Sequence, residues 1–288
     1  MLQMNIKDNP TPEKASFQVG EMKTVLIDNF DRSVHVGISS VIGKRREQQD
    51  AVKSDDFSAY MENGRAIAVL CDGMGGMSSG GMASELCSSI VFESFHNKID
   101  SLLIPDFYRN VISESDNAVR NMTDENGSPV KGSGTTMVSV VIDGNKLYWA
   151  SVGDSRIYIL RNDELLCITT DHNYLMLLNE RVKRGEITKE EAESDTKKEL
   201  LISYIGIGGV RYVDMNSQGL NLLNGDYVIL CSDGLYRSVS EEEIKQIVHS
   251  FEGDAQQIAE VLTDIAIGKN YRNQDNTSVV VISFQDSG

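Results

Sequence analysis

Apolar and polar positions divide the chain into short strands and amphipathic helices. Residues 34–39 alternate between apolar and polar, as in a half-buried strand. Residues 66–71 form a continuous apolar run, which is typical of a fully buried strand. Further along, Met82, Leu86 and Ile90 recur every four residues. This spacing predicts a helix with one apolar face.

The middle of the chain is predicted to be rich in strands, with helices returning towards its end. Asp143-Gly144 is typical of a tight hairpin turn, and Ser240 with Glu243 forms the capping-box pattern that begins a helix. Strands are predicted at 135–142, 146–152, 156–161, 165–169, 210–217, 227–230 and 278–284, and further helices at 106–122, 173–184, 240–251 and 254–269. Many short strands between pairs of helices predict helices packed on stacked sheets.

Composition narrows the class of protein. The 288 residues suffice for one sizeable core, and the net charge of −16 disfavours a nucleic-acid partner, which needs a basic face. No secretory signal and no membrane-spanning helix are expected, because neither sequence pattern is found. Four cysteines lie among apolar residues without C-x-x-C spacing, which predicts reduced, buried thiols in a cytoplasmic protein. They are Cys71, Cys87, Cys167 and Cys231.

Four aspartates stand at the ends of predicted strands. Asp72 ends the apolar run at 66–71 and is followed by a glycine-rich turn. Asp233 follows a run of nearly the same pattern, Asp154 ends a third, and Asp275 directly precedes the last predicted strand. If these carboxylates converge on one edge of a sheet, they repel one another and need cations between them. Two Mg²⁺ or Mn²⁺ ions bridged by a carboxylate are a known arrangement for phosphate hydrolysis.

Six motifs, in order, resemble those of the metal-dependent serine/threonine phosphatases, the PPM or protein phosphatase type 2C family, and its bacterial branch in particular. The first motif runs from Gly43 through Arg45 to Asp50, and the resemblance spans residues 34–284. The other five are Asp72-Gly73-Met74-Gly75-Gly76, Ser133-Gly134-Thr135-Thr136, Gly153-Asp154-Ser155-Arg156, Ser232-Asp233-Gly234 and Asp275-Asn276. One such motif is weak, whereas six in order are specific.

The resemblance implies an α+β fold, a four-layer α-β-β-α sandwich with two central antiparallel sheets flanked by helices. It implies one phosphatase domain over residues 34–284, and residues 1–33 are then an N-terminal extension that we expect to be partly ordered. Residues 173–205 are expected to form the flap that bacterial members carry beside the site. The string from Gly185 to Ala192 resembles that flap, although Ser203 stands where an arginine is expected.

The resemblance also implies roles for the aspartates. Asp72 is expected to bridge two Mn²⁺ or Mg²⁺ ions, with the Gly73 carbonyl on one of them. Asp233 and Asp275 are expected to bind these ions from other strands. Asp154, with Asp233, matches the ligands of a third and weaker ion. In the first motif, Asp50 matches an acceptor for metal-bound water.

Arg45 is the residue expected to bind the substrate phosphate, because a guanidinium presents two parallel donors and stays charged. Its neighbour Arg46 is the alternative. Gln49 stands where many relatives have a glutamate, so a metal contact there is not expected. His172 follows a strand as a lone histidine, which is more often structural than catalytic.

The implied reaction is the hydrolysis of phosphoserine and phosphothreonine in proteins by a water bridging two metal ions, without a phosphoenzyme. The expected partners are phosphorylated protein substrates, in opposition to a serine/threonine kinase, and the chain is expected to be a monomer. One alternative is a phosphoprotein-binding regulatory domain with impaired catalysis. Another is a cysteine-dependent phosphatase, because Cys231 and Arg237 fit the pattern C-x5-R. Against it, Cys231 ends an apolar run, where burial raises the pKa of a thiol.

Overall fold

The computed structural model describes residues 5–7, 32–56, 64–75, 79–99, 102–124, 126–269, 272 and 274–286. Most of the predicted extension 1–33 and the last glycine of the Asp72 motif, Gly76, lie outside the described residues. The described strands are β1 (Asn5–Lys7), β2 (Arg32–Val41), β3 (Asp50–Ser54), β4 (Arg65–Met74), β5 (Gly134–Thr135), β6 (Met137–Asp143), β7 (Lys146–Val152), β8 (Arg156–Arg161), β9 (Glu164–Cys167), β10 (Tyr212–Met215), β11 (Leu220–Asn221), β12 (Asp226–Cys231) and β13 (Thr277–Asp286). The described helices are α1 (Ser79–Lys98), α2 (Ile104–Arg120), α3 (Tyr174–Lys183), α4 (Lys189–Ser194), α5 (Asp233–Tyr236), α6 (Glu241–Ser250) and α7 (Ala255–Gly268).

These strands form two sheets. The larger has the order β1-β10-β7-β6-β4-β3, with β11 paired to β7 and β5 paired to β4. The smaller has the order β2-β13-β12-β8-β9. Among the described strands every pair is antiparallel except β1 with β10, at the edge of the larger sheet. The predicted pair of antiparallel sheets is therefore confirmed, with one parallel pair added by a strand from within residues 1–33.

Both faces of the central strands are covered, which explains why their sequences read as continuous apolar runs. In β4, Ala66, Ala68 and Leu70 pack between the two sheets. The alternate residues Ile67 and Val69 pack against α1 and α2. In the smaller sheet β12 and β13 alternate in the same way, with α6 and α7 on their outer face. The three apolar cores separate four layers, so the predicted α-β-β-α sandwich is confirmed.

Helices α6 and α7 begin where predicted, and a side chain caps each of them. At the start of α6 the Ser240 side chain accepts from the backbone N–H of Glu243, and the Glu243 carboxylate accepts from the backbone N–H of Ser240. Asp254 caps α7 by accepting from the N–H of Gln257. Among the described residues, none of the helices is both long enough and apolar enough to cross a membrane.

One prediction about the cysteines is wrong. Cys71, Cys87 and Cys231 are buried, but Cys167 is exposed. It lies on β9, the outermost strand of the smaller sheet, where neighbouring strands and helices cover few of the side chains. An edge strand does not bury its apolar positions on both faces.

Residues 173–205 connect the smaller sheet to the larger one and contain α3 and α4. Backbone hydrogen bonds close the base of this insertion. The N–H of Tyr174 donates to the carbonyl of Leu200 over 2.8 Å, and the N–H of Ile202 donates to the carbonyl of His172 over 2.9 Å. The predicted helical insertion is therefore present, and its ends are fixed beside each other.

Candidate active site

The strand-end carboxylates meet in a cavity of about 280 Å³. Asp72, Asp154, Asp233 and Asp275 all line it, although they come from four separate segments of both sheets. Arg45 lines the same cavity. The side chains therefore converge in the structure, as the sequence predicted.

Asp72 lies near the end of β4 and is held through its backbone by the Ser133–Thr136 motif. The Asp72 N–H donates to the Thr136 hydroxyl over 2.9 Å. Its carbonyl accepts from the Thr135 hydroxyl and from the Thr136 N–H, each over 2.9 Å. Since the backbone makes all three bonds, the Asp72 carboxylate is left available to the cavity.

Gly73 must be a glycine because the start of α1 lies against it. A Cβ atom at this position would be 2.1 Å from the carbonyl oxygen of Gly80 and 2.6 Å from that of Gln49. The Gly73 N–H donates to the Gln49 carbonyl over 3.0 Å. The close approach therefore fixes the backbone turn directly after Asp72.

Asp50 lies opposite Asp72 in the pairing of β3 with β4. It is buried, and the Ser232 hydroxyl donates to its Oδ2 over 2.8 Å. Its other oxygen, Oδ1, has no hydrogen-bond partner. Asp50 therefore lies beside Asp72 without lining the cavity, and it joins the two sheets through Ser232.

Asp154 is positioned by a glycine turn after β7. Gly153 adopts a φ of +106°, which a side chain would disfavour. Its N–H donates over 3.1 Å to Nδ1 of the buried His172, whose Nε2 lies 3.5 Å from Asp214 Oδ1. His172 lies outside the cavity lining and supports this turn, which agrees with the structural interpretation of a lone histidine.

Asn276 supports the loop of Arg45 through contacts that the sequence did not reveal. Its side-chain nitrogen donates to the carbonyls of Ile42 and Glu47, over 2.8 and 3.1 Å, while its oxygen accepts from the Gln49 N–H over 2.8 Å. One amide therefore fixes both ends of the loop that presents Arg45 to the cavity. The Asp275-Asn276 motif marks the position, but the partners are more than 220 residues away.

The carboxylates interact strongly with one another. Burial raises the pKa of Asp72 well above its usual range, and repulsion by Asp50 and Asp233 adds to the effect. Burial likewise raises the pKa of Asp50 to about 6 and that of Asp233 to about 7. For Asp154, burial and the charge of Asp171 both raise the pKa. The site therefore holds more negative charge than its surroundings stabilise.

The donor set fits divalent metal ions. Carboxylate and carbonyl oxygens are the ligands that Mg²⁺ and Mn²⁺ prefer. Asp233 Oδ1, like Asp50 Oδ1, is buried without a hydrogen-bond partner. Among the described residues no three Asp, Glu, His or Cys side chains stand ready as a metal site. Arginines pair with some of the carboxylates: Arg45 with Asp275 and Arg237 with Asp233.

Comparison with known proteins identifies the family to which this chain belongs. Residues 42–265 match the family model described as Protein phosphatase 2C. The chain belongs to the protein phosphatase 2C family. Protein phosphatase PhpP of Streptococcus pneumoniae is 29% identical over 252 residues, which cover 86% of this chain and 96% of that protein.

Solved structures of serine/threonine phosphatases have the same fold. The enzyme of S. agalactiae superposes with a TM-score of 0.74 at 29% identity, over 87% of this chain and 99% of that one. The catalytic domain of PstP, solved in complex with two manganese ions, superposes with a TM-score of 0.69 at 27% identity, over 88% of this chain and 100% of that one.

In this member of the 2C family, Arg45 is exposed and forms an ion pair with Asp275, with Nη2 2.5 Å from Oδ2. Arg46 is exposed and does not line the cavity. The geometry thus favours Arg45 over Arg46 as the phosphate ligand, and that role stays a prediction.

The raised pKa values predict how the metal-free 2C domain responds to pH. A carboxyl whose pKa is higher in the folded state than in the unfolded one binds more protons when folded, so stability falls as pH rises between the two values. For Asp50 and Asp233 this interval runs from the usual value of about 4 to about 6 and 7. We expect the melting temperature of the metal-free protein to fall between pH 5 and pH 7.5.

Saturating Mn²⁺ should reduce that fall, and Asp233→Asn should flatten it in the metal-free protein. Differential scanning calorimetry in the presence of chelator measures both effects. A metal-free melting temperature that rises steadily from pH 5 to pH 7.5 would contradict this account of the charges.

Proposed function

We propose that this protein hydrolyses phosphoserine and phosphothreonine in other proteins with the help of two divalent metal ions, Mn²⁺ or Mg²⁺. The convergence of four strand-end aspartates with Arg45 in one cavity is the observation that supports this most directly. PhpP is named a protein phosphatase, the S. agalactiae relative is named a serine/threonine phosphatase, and the PstP structure contains two manganese ions.

Asp72, Asp233 and Asp275 would hold the ions through their carboxylates, and Gly73 through its carbonyl oxygen. Bound there, two divalent ions would lower the pKa of a water molecule and offset the negative charge of the phosphoryl group. Asp50, behind Asp72 and fixed by Ser232, would accept a hydrogen bond from a water on the metals. A third and weaker ion at Asp154 stays a prediction.

Arg45 would orient the substrate. Its guanidinium pairs with Asp275, one of the proposed metal ligands. If Asp275 held a metal ion instead, the Arg45 guanidinium would be available at the edge of the cavity. Its planar donors can then bind two phosphoryl oxygens.

No covalent phosphoenzyme is needed, and the cysteine alternative lacks support. Cys231 is completely buried on β12, and burial raises the pKa of its thiol well above the usual range. It does not line the cavity. Arg237, which would have to bind phosphate in that mechanism, pairs with carboxylates. A regulatory domain with impaired catalysis is also less well supported, since all four aspartates line the cavity.

The proposed substrates are phosphorylated proteins, and the natural opposing enzyme is a serine/threonine kinase. We propose a cytoplasmic monomer that acts without nucleic acid or membrane. The acidic character of the chain, at a net charge of −16, disfavours a nucleic-acid partner.

Phosphate release from matched peptides tests the function. We expect Mn²⁺-dependent release from phosphoserine and phosphothreonine peptides and much slower release from the phosphotyrosine peptide of the same sequence. Treatment with iodoacetamide, which reaches the exposed Cys167, should leave the rate largely unchanged. Complete loss of activity in Cys231→Ser would revive the Cys231 mechanism. No release from any of the peptides would favour the regulatory domain with impaired catalysis.

A further inference from the structure

Arg237 lies at one edge of the cavity, among carboxylates from three separate segments. Its Nε is 3.1 Å from Asp233 Oδ2, its Nη1 is 3.3 Å from Glu199 Oε2, and its Nη2 is 3.8 Å from Asp154 Oδ2. Asp233 begins α5, Asp154 follows β7, and Glu199 belongs to the insertion 173–205. One guanidinium therefore contacts the ends of strands from both sheets and the insertion between them.

Two of these three carboxylates, those of Asp154 and Asp233, are largely buried; together they are called the Asp154–Asp233 edge of the cavity. The side chain of Asp154 is 10% exposed and that of Asp233 is 15% exposed. They repel each other, and Arg237 is the neighbouring charge that acts most strongly on Asp233 in the favourable sense. Without a cation here the pair would be destabilised, because like charges in a partly buried site are weakly screened.

Glu199, the third carboxylate, lies in the insertion 173–205 and not at the end of a strand. Its side chain is 62% exposed, yet it lines the cavity together with Leu201. It lies in the stretch 198–202, whose backbone pairs with residues 172–175 to close the insertion. Because an exposed ion pair is stabilised only weakly by itself, the contact between Glu199 and Arg237 should be easily exchanged.

We propose that Arg237 is a positioning residue that serves as the resident cation of the Asp154–Asp233 edge and ties the base of the insertion to that edge through Glu199. A divalent ion that binds Asp154 must then displace Arg237, and the base of the insertion is released when it does. In its metal-binding part this inference rests on the proposed function, since it assumes that a divalent ion binds at Asp154 and Asp233.

Titration of the full-length protein with Mn²⁺, followed by electron paramagnetic resonance of the free ion, tests the first part. For Arg237→Ala we expect the weakest Mn²⁺ site to bind at least about tenfold more tightly than in the wild type, because a positive charge within about 4 Å is removed. Arg237→Lys keeps the charge and should restore binding close to that of the wild type. Superimposable isotherms for the wild type and Arg237→Ala would overturn the resident-cation role.

Hydrogen exchange of the metal-free protein tests the second part and does not depend on catalysis. Both Arg237→Ala and Glu199→Gln should increase amide exchange in residues 198–202, while helix α7 serves as an unaffected internal reference. Glu199→Gln is the matched control for the metal measurement, because it removes the contact with the insertion and leaves Arg237 beside Asp154. Unchanged exchange in both variants would overturn the link to the insertion.

These outcomes separate this inference from the proposed function. If the wild type binds no Mn²⁺ at all, the proposed metal-dependent function fails, and the exchange experiment still decides the link to the insertion. If the wild type binds Mn²⁺ and Arg237→Ala changes neither readout, the proposed function stands and the role of Arg237 is wrong. If Arg237→Ala does not fold, Arg237→Gln, which removes the charge and keeps a longer side chain, replaces it in the metal titration with the same expected result. Glu199→Gln then still tests the link to the insertion.

Discussion

Asp72→Asn should lower kcat by at least about 10³-fold, since the stabilisation that metal ions give to a phosphoryl transition state amounts to several kcal/mol. The amide keeps the shape of the side chain and removes the negative charge at the centre of the proposed two-metal site. The backbone of Asp72 makes the bonds that hold β4 to Thr135 and Thr136, and the substitution leaves them in place.

The same substitution should not destabilise the metal-free protein. Burial and repulsion by neighbouring aspartates raise the pKa of Asp72, so the charged form is unfavourable in the folded state. We expect the melting temperature of metal-free Asp72→Asn to equal or exceed that of the wild type near neutral pH. Asp106→Asn, on the exposed first turn of α2, is the control and should change neither quantity.

Two results would contradict this account of Asp72. One is retention of more than a tenth of the wild-type kcat at saturating Mn²⁺. The other is a large drop in the metal-free melting temperature, which would mean that the Asp72 carboxylate stabilises the fold.

Arg45→Ala should chiefly raise KM, by roughly 10- to 100-fold, because hydrogen bonds to charged groups contribute about 1.5–3 kcal/mol. The guanidinium lies at the cavity and its side chain is 57% exposed, so its removal leaves no buried group without a partner. The proposed metal ligands remain, and kcat should therefore change only a few-fold.

Arg46→Ala is the matched control for Arg45→Ala, because it removes the same charge from the neighbouring residue. It should leave KM nearly unchanged, since Arg46 does not line the cavity. Equal effects of the two substitutions would mean that the loop attracts phosphate only through its overall charge. An unchanged KM for Arg45→Ala would remove Arg45 from the site.

The sequence was informative where local pattern and tertiary environment agree. The central strands read as continuous apolar runs because both of their faces are buried, so β4, β12 and β13 could be predicted together with the aspartates at their ends. The turn at Asp72 was likewise visible, because Gly73 is needed for the close approach of α1. In a short glycine-rich motif of this kind, the sequence itself indicates where the backbone must turn tightly.

Other parts of the site depend on contacts that no local pattern encodes. Asn276 fixes the loop of Arg45 from more than 220 residues away. Arg237 contacts Glu199, which lies in the insertion. Because Glu199 stands among other charged residues in the sequence, its local pattern does not indicate this partner. Cys167 was expected to be buried because its neighbours are apolar, but burial was decided by its place on an edge strand. The pairing of β1 with β10 was not predicted either.

The most direct test of the central claim is phosphate release from one phosphothreonine peptide by the same enzyme sample before chelation, in excess chelator, and after Mn²⁺ is restored. We predict full loss of turnover in chelator and recovery on addition of Mn²⁺, with Asp72→Asn inactive throughout. Turnover that persists in excess chelator would contradict a metal-dependent mechanism at these aspartates.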